Sequence, residues 1–189
     1  DLAAFSFYPT KNLGGIGDSG MIATNDINLY NYCKLARSYG GDKYHYDVEG
    51  INSRMDEIQA LFLLNKLNDI EKNNNKKIRN AKLYFKYLKN KSLILPSQPE
   101  INSKNVFHIF CVRTRNRDKL KQYLEDNNIQ SIIHYPIPIF KQKALKHVVN
   151  NVYPISEEIS ETVLSIPCSM AHTKDEIMRV IKVLNEYKE

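Results

Sequence analysis

The chain has 189 residues, 42% of them hydrophobic, which is enough for one ordinary domain or for one domain and part of another. No apolar run approaches the ~20 residues of a membrane-spanning helix and no signal-peptide pattern opens the chain, so a soluble, cytoplasmic protein is expected. The net charge of +6 invites a nucleic-acid reading, but much of the excess lies in the Asn- and Lys-rich stretch 72–91, with no RNA motif, helix-turn-helix or zinc spacing beside it, so a solvated helix face is expected instead.

In chain order, the apolar run Leu2 to Phe7 is broken by Pro9 and followed by Gly14, Gly15, Gly17 and Gly20. This predicts a buried strand leading into a tight loop, with Lys11 at the strand end, where α/β sheets place ligands. An exposed lysine leaves only about one amine in 2,500 uncharged at pH 7, so a nucleophilic lysine needs desolvation or condensation with an aldehyde. Met21 to Thr24 reads as a second strand. Asn25-Asp26 caps a helix from about Ile27 to Ser38 that ends at Gly40-Gly41. Lys43 to Gly50 lacks either period and is expected to be an ordered loop.

Ser53, with Asp56 three residues on, is the expected N-cap of a helix that turns Met55, Ile58 and Phe62 to one face. From Leu61 to Lys91 two long helices are expected to bridge two domains, with a stripe of Ile70, Ile78, Ala81, Phe85 and Leu88. Val106 to Val112 reads as a strand, with His108 a packed core histidine, and Asp118 to Asp126 as an amphipathic helix. Ile129 to Tyr135 is expected to be a second strand, ending in His134-Tyr135-Pro136-Ile137-Pro138. A helix starts near Pro154, and Thr173 with Glu176 forms a capping box for the last helix. Cys33, Cys111 and Cys168 are odd in number and widely spaced, which predicts buried free thiols and no metal site.

Phe5-Ser6-Phe7, three residues, Lys11 and the glycine turn resemble the lysine segment of the DegT/StrS-type nucleotide-sugar aminotransferases. Residues 50–60, with Asn52, Arg54, Asp56, Gln59 and Ala60, resemble the same family's Gly-x-Asn-x-Arg-x-Asp-x-x-Gln-Ala signature, and Leu164-Ser165-Ile166-Pro167 its Leu-Ser-Leu-Pro stretch. The resemblance implies an α/β fold of the type I, aspartate-aminotransferase-like architecture. Residues 1–68 would be the C-terminal part of the large domain that binds pyridoxal 5'-phosphate, and residues 69–189 the linking helix and small domain. It implies that Lys11 bonds the cofactor aldehyde and then acts as a general base, and that Ser6 binds the cofactor phosphate. Asn52 would reach the phosphate of the other subunit in a homodimer with shared active sites, and Tyr8 and His134 would contact the sugar. Arg54, Asp56 and Gln59 receive no role, because a helix N-terminus with acidic residues in its first turn has dipole reasons of its own.

The activity implied is transamination of a nucleotide-linked keto-deoxysugar, with glutamate as amino donor. The family's phosphate loop, ring-stacking aromatic and ring-nitrogen aspartate lie upstream of its lysine and are not among these residues, so a fragment inactive by itself is expected. A dehydratase branch carries histidine where Lys11 stands, which argues against it. The alternative is a non-catalytic α/β dimerisation or binding module.

Overall fold

The computed structural model describes residues 1–145, 147 and 151–189. The chain divides into two compact units, Asp1–Lys72 and Asn73–Glu189. In the first, β1 (Ala3–Ser6) pairs antiparallel with β2 (Gly20–Ala23), in a register that sets Ser6 opposite Gly20. The strand expected to be buried is exposed at all four positions of β1. Two strands make a ribbon, and in this unit no second layer covers it.

Helix α1 (Ile27–Ala36) starts as its sequence predicts: the Asp26 carboxylate accepts from the backbone N–H groups of Asn28 (2.7 Å) and Leu29 (3.2 Å). It ends through Tyr39 and Gly40, both at positive φ. A Cβ on Gly40 would also lie 1.7 Å from the Val48 carbonyl oxygen, so this position needs glycine for conformation and space alike. Within the expected loop 43–50 only β4 (His45–Tyr46) is strand, and it pairs in a tight hairpin with β3 (Gly41–Asp42) just before it; residues 47–50 are irregular as expected. The hairpin's strands are two residues each, too short for hydrophobic alternation to reveal them.

Helix α2 (Glu57–Leu67) starts three residues later than an N-cap at Ser53 would set it, with Asp56 as N-cap and no side-chain capping bond. Its buried face is Gln59 and Leu63, whereas Ile58 is 67% exposed. The expected stripe through Ile58 is therefore wrong by one position, because a polar side chain occupies the inner face.

Helix α3 (Ile70–Tyr87) leads into the second unit and buries Asn74, Lys77, Asn80, Ala81 and Tyr84. Ile78 and Phe85 only flank this core. Three of these buried polar side chains donate to backbone carbonyls. Lys77 Nζ donates to the His108 carbonyl (2.9 Å), Asn80 Nδ2 to the carbonyls of Ser169 (2.9 Å) and His172 (3.3 Å), and the Tyr84 hydroxyl to the Pro167 carbonyl (2.6 Å). The helix thus ties down the loop 167–172 that a purely apolar face would leave unanchored.

The second unit's sheet is β5 (Phe110–Arg113) antiparallel to β6 (Val163–Ile166), extended by isolated bridges Ile94–Arg113 and Ile132–Ser165. Strand β5 is shorter than its apolar run, since Phe107 adopts positive φ and ends the extended backbone. The second strand expected over Ile129 to Tyr135 is reduced to the one bridge at Ile132. Its central partner is β6, all four residues of which are buried. Helices α4 (Arg117–Asp126), α5 (Pro154–Thr162) and α6 (Lys174–Glu186) stand where the sequence puts them. The Thr173 capping box is complete, with Glu176 N–H donating to the Thr173 hydroxyl and Glu176 Oε2 accepting from the Thr173 N–H. The core joins Tyr84, Phe107, Phe110, Val112, Leu120, Leu124, Leu164, Ile177, Ile181 and Leu184. Of the cysteines, all free, only Cys168 is buried; Cys33 and Cys111 are partly exposed.

Candidate active site

The lysine loop is closed from its two ends. The Phe7 N–H donates to the Ser19 carbonyl and the Gly15 N–H to the Phe7 carbonyl, both at 2.8 Å, and Phe7 is itself buried. Between them, the Tyr8 N–H donates to Ser6 Oγ (3.3 Å) and the Lys11 N–H to the Tyr8 carbonyl (2.8 Å). Ser6, Tyr8 and Lys11 are thereby held in one turn. Ser6 and Tyr8 are exposed, and Lys11 is half-buried.

Helix α2 clamps the glycine half of the same loop. Gln59 Oε1 accepts from the Ile16 N–H (3.0 Å), and Lys66 Nζ donates to the Gly14 carbonyl (2.7 Å). A Cβ on Gly15 would lie 2.7 Å from Gln59 Oε1, and one on Gly17 2.7 Å from Gln59 Nε2, so these glycines admit the buried amide. Gly14 packs as closely against the Pro9 carbonyl. Sequence reasoning assigned no role to Gln59 or Lys66. The available signal was their spacing: Gln59, Leu63 and Lys66 fall at i, i+4 and i+7 on one helix face.

Asn52 lies on a different segment of this unit, bridged to Ser38, and its Oδ1 accepts from Arg54 Nε (3.1 Å). The Arg54 guanidinium lies 6.0 Å from the centre of the Tyr39 ring. With its oxygen engaged, the Asn52 carboxamide keeps its N–H₂ as a donor. His134 belongs to the other unit, half-buried, with Nδ1 2.8 Å from Ser165 Oγ. The structure therefore gathers Ser6, Tyr8 and Lys11 in one turn, and sets Asn52 and His134 on other elements.

This donor set fits an aldehyde-bearing phosphate ester. Lys11 supplies a primary amine. Ser6 Oγ already accepts from a backbone N–H, so its own proton is available to a phosphate oxygen, and Asn52 supplies an amide donor of the same kind. No group of three or more His, Cys, Asp and Glu side chains able to hold a metal occurs among the described residues, and no helix among them is long and apolar enough to cross a membrane.

The family model of the DegT/DnrJ/EryC1/StrS aminotransferases matches residues 1–185. A dTDP-3-amino-3,6-dideoxy-alpha-D-galactopyranose transaminase from Aneurinibacillus thermoaerophilus is 40% identical over 188 residues, 99% of this chain and 52% of that protein. A UDP-N-acetyl-3-dehydro-alpha-D-glucosamine 3-aminotransferase from Acidithiobacillus ferrooxidans is 37% identical, over 97% of this chain and 50% of its own length. Among solved structures, S. venezuelae DesV superposes with a TM-score of 0.92 at 34% identity, covering 98% of this chain and 51% of that one. NtdA from Bacillus subtilis, solved with bound cofactor PMP, gives 0.85 at 27% identity, covering 97% and 45%. The chain spans about half the length of the relatives it matches.

Proposed function

The chain belongs to the DegT/DnrJ/EryC1/StrS aminotransferase family, and we propose that it supplies the lysine-bearing half of an enzyme that uses pyridoxal 5'-phosphate to transaminate a nucleotide-linked keto-deoxysugar, with glutamate as amino donor. The observation that carries this reading is Lys11, the amine of the turn that binds Ser6 and Tyr8 together and is clamped through its glycines by Gln59 and Lys66. The two curated relatives above are named as sugar aminotransferases, one acting at a dTDP-linked and one at a UDP-linked sugar, which supports the substrate class without choosing the nucleotide.

Lys11 Nζ would hold the cofactor through its aldehyde carbon, Ser6 Oγ would donate to its phosphate, and Asn52 Nδ2 would donate to the phosphate bound by the partner of a homodimer. When bound, this cofactor supplies an electron sink and a carbon that takes up and releases the migrating amino group. Lys11 Nζ, freed from its covalent role, takes the proton from the α-carbon of the amino donor and returns a proton to the sugar carbon that bore the keto oxygen. Tyr8, 51% exposed and three residues before Lys11, and His134 would bind the sugar. Residues 1–68 form the C-terminal part of the large domain in this reading, and 69–189 the linking helix and small domain. In the first unit Phe5, Ile22, Leu61 and Leu64 are each about half or more exposed, an apolar surface for the rest of the large domain or a partner subunit to cover.

The test is a chimera in which this chain replaces the matching half of the A. thermoaerophilus relative. After addition of pyridoxal phosphate and borohydride, the reduced adduct should map to the peptide containing Lys11. Lys11→Arg keeps the charge, lacks the condensable amine, and should lose both adduct and turnover, whereas Lys34→Arg and Lys43→Arg should keep them. An adduct on any other lysine overturns the assignment.

A further inference from the structure

Ser165 lies in β6, facing Cys111 of β5 on one side and bridged to Ile132 on the other, with Ile132 N–H to Ser165 carbonyl at 3.1 Å and Ser165 N–H to Ile132 carbonyl at 2.8 Å. His134, two residues beyond Ile132, falls on the same side of that extended segment as Ile132. It meets Ser165 as a diagonal cross-strand neighbour. Three polar side chains therefore form a line: Cys111 Sγ is 3.3 Å from Ser165 Oγ, and Ser165 Oγ is 2.8 Å from His134 Nδ1. Ser165 is 7% exposed, so water does not compete freely for its hydroxyl.

The hydroxyl has one proton and two possible acceptors. An imidazole nitrogen is a strong acceptor and a thiol sulphur a weak one, so the proton goes to Nδ1 and the Cys111 S–H turns to the hydroxyl lone pair. The buried Ser165 hydroxyl is then satisfied on both sides, accepting from Cys111 and donating to His134. With Nδ1 as acceptor, the proton of a neutral ring resides on Nε2.

We propose that Ser165, backed by Cys111, is a positioning residue that fixes His134 as its Nε2–H tautomer, so that the outer nitrogen offers a proton to an oxygen of the bound sugar and cannot serve as a base there. The sugar-binding part of this statement rests on the reading of His134 as a substrate contact; the tautomer does not.

The two parts separate experimentally. In the full chain labelled with 15N, long-range proton–nitrogen correlation under conditions where the ring is neutral should show Nε2 protonated and Nδ1 bare. Ser165→Ala should give a mixture of tautomers, Ser165→Thr should restore the single form, and Cys111→Ala, which leaves the hydroxyl–imidazole bond in place, should retain it. A ring protonated at Nδ1 in the parent, or a tautomer unchanged in Ser165→Ala, overturns the proposal. In the chimera, Ser165→Ala should raise KM for the keto-sugar about fivefold, the loss of roughly one neutral hydrogen bond, with a smaller change in kcat. A shifted tautomer with KM unchanged keeps the positioning role and overturns the reading of His134 as a sugar contact.

Discussion

Gln59 shows how much of this loop depends on one neutral side chain. Its amide oxygen is the acceptor for the Ile16 N–H, and its nitrogen lies 2.7 Å from where a Cβ on Gly17 would stand. Gln59→Ala would leave that N–H without its partner, a loss of about 1–2 kcal/mol of local order, and Gln59→Glu would keep the acceptor. Amide exchange at Ile16 should accelerate in the alanine variant and stay near the parent rate in the glutamate variant. Cys168 behaves differently, because burial pushes its thiol up to about 11 while the Lys77 ammonium only partly offsets it. Alkylation at pH 8 should therefore be roughly 100-fold slower at Cys168 than at a thiol of ordinary acidity. The folded state holds this proton more tightly than the unfolded chain. Its contribution to stability, on the order of 3 kcal/mol, is complete below pH 9 and lost as pH rises through about 11. Burial lowers the Lys77 pKa, with the opposite slope below 10.5, so the difference in urea midpoint between parent and Cys168→Ala reports the thiol together with its coupling to Lys77. That difference should narrow across pH 9–11.

Elements differ in how much of their own ends they encode. Helix α6 carries its start in four residues, since the Thr173 hydroxyl and the Glu176 carboxylate satisfy each other's backbone N–H groups. Thr173→Ala should lower stability by about 1 kcal/mol, measurable as a reduced Tm. The Thr173 backbone N–H and hydroxyl hold the Glu176 carboxyl below its ordinary value of 4.5. The carboxylate's share of the cap is thus present above pH 4.5 and lost as pH falls below it, so the gap between parent and Thr173→Ala should shrink in acid. Helix α1 is as legible, through Asp26. Helix α2 is not: Ser53 and Asp56 have cap-like spacing, but the backbone at Asp56 is extended, so the helix waits until Glu57. Strand β6 escaped notice because four buried residues have no alternation to read, and Leu-Ser-Ile-Pro was legible only as a motif.

In the whole molecule, the two units differ in how they are stabilised. Asn73–Glu189 has a continuous core around Tyr84, Phe110, Leu164 and Ile181, whereas the hairpin and helices of Asp1–Lys72 bury little beyond Phe7 and Leu63. In the chain by itself, amides of Val112, Leu164 and Ile181 should be the slowest to exchange, and those of β1 and β2 should exchange orders of magnitude faster. Equal protection in both units would contradict this account. For the homodimer with shared sites, chimeras carrying Lys11→Ala and Asn52→Ala should each be inactive or weak and regain activity when mixed, because one heterodimer site keeps both residues. Confirmed subunit exchange without recovered activity would remove the shared site. The lysine motif, the caps of α1 and α6 and the family were all determined by the sequence alone, because each depends on residues close together in the chain, where local hydrogen bonding or covalent chemistry leaves few alternatives. Tertiary structure alone decided which face of α2 turns inward, that Gln59 and Lys66 hold the lysine loop from 43 and 52 residues away, and that Ser165 meets both Cys111 and His134. Those contacts come from register and packing between segments remote in sequence, and a polar residue that will be buried by such packing looks, in the sequence, like any solvated one.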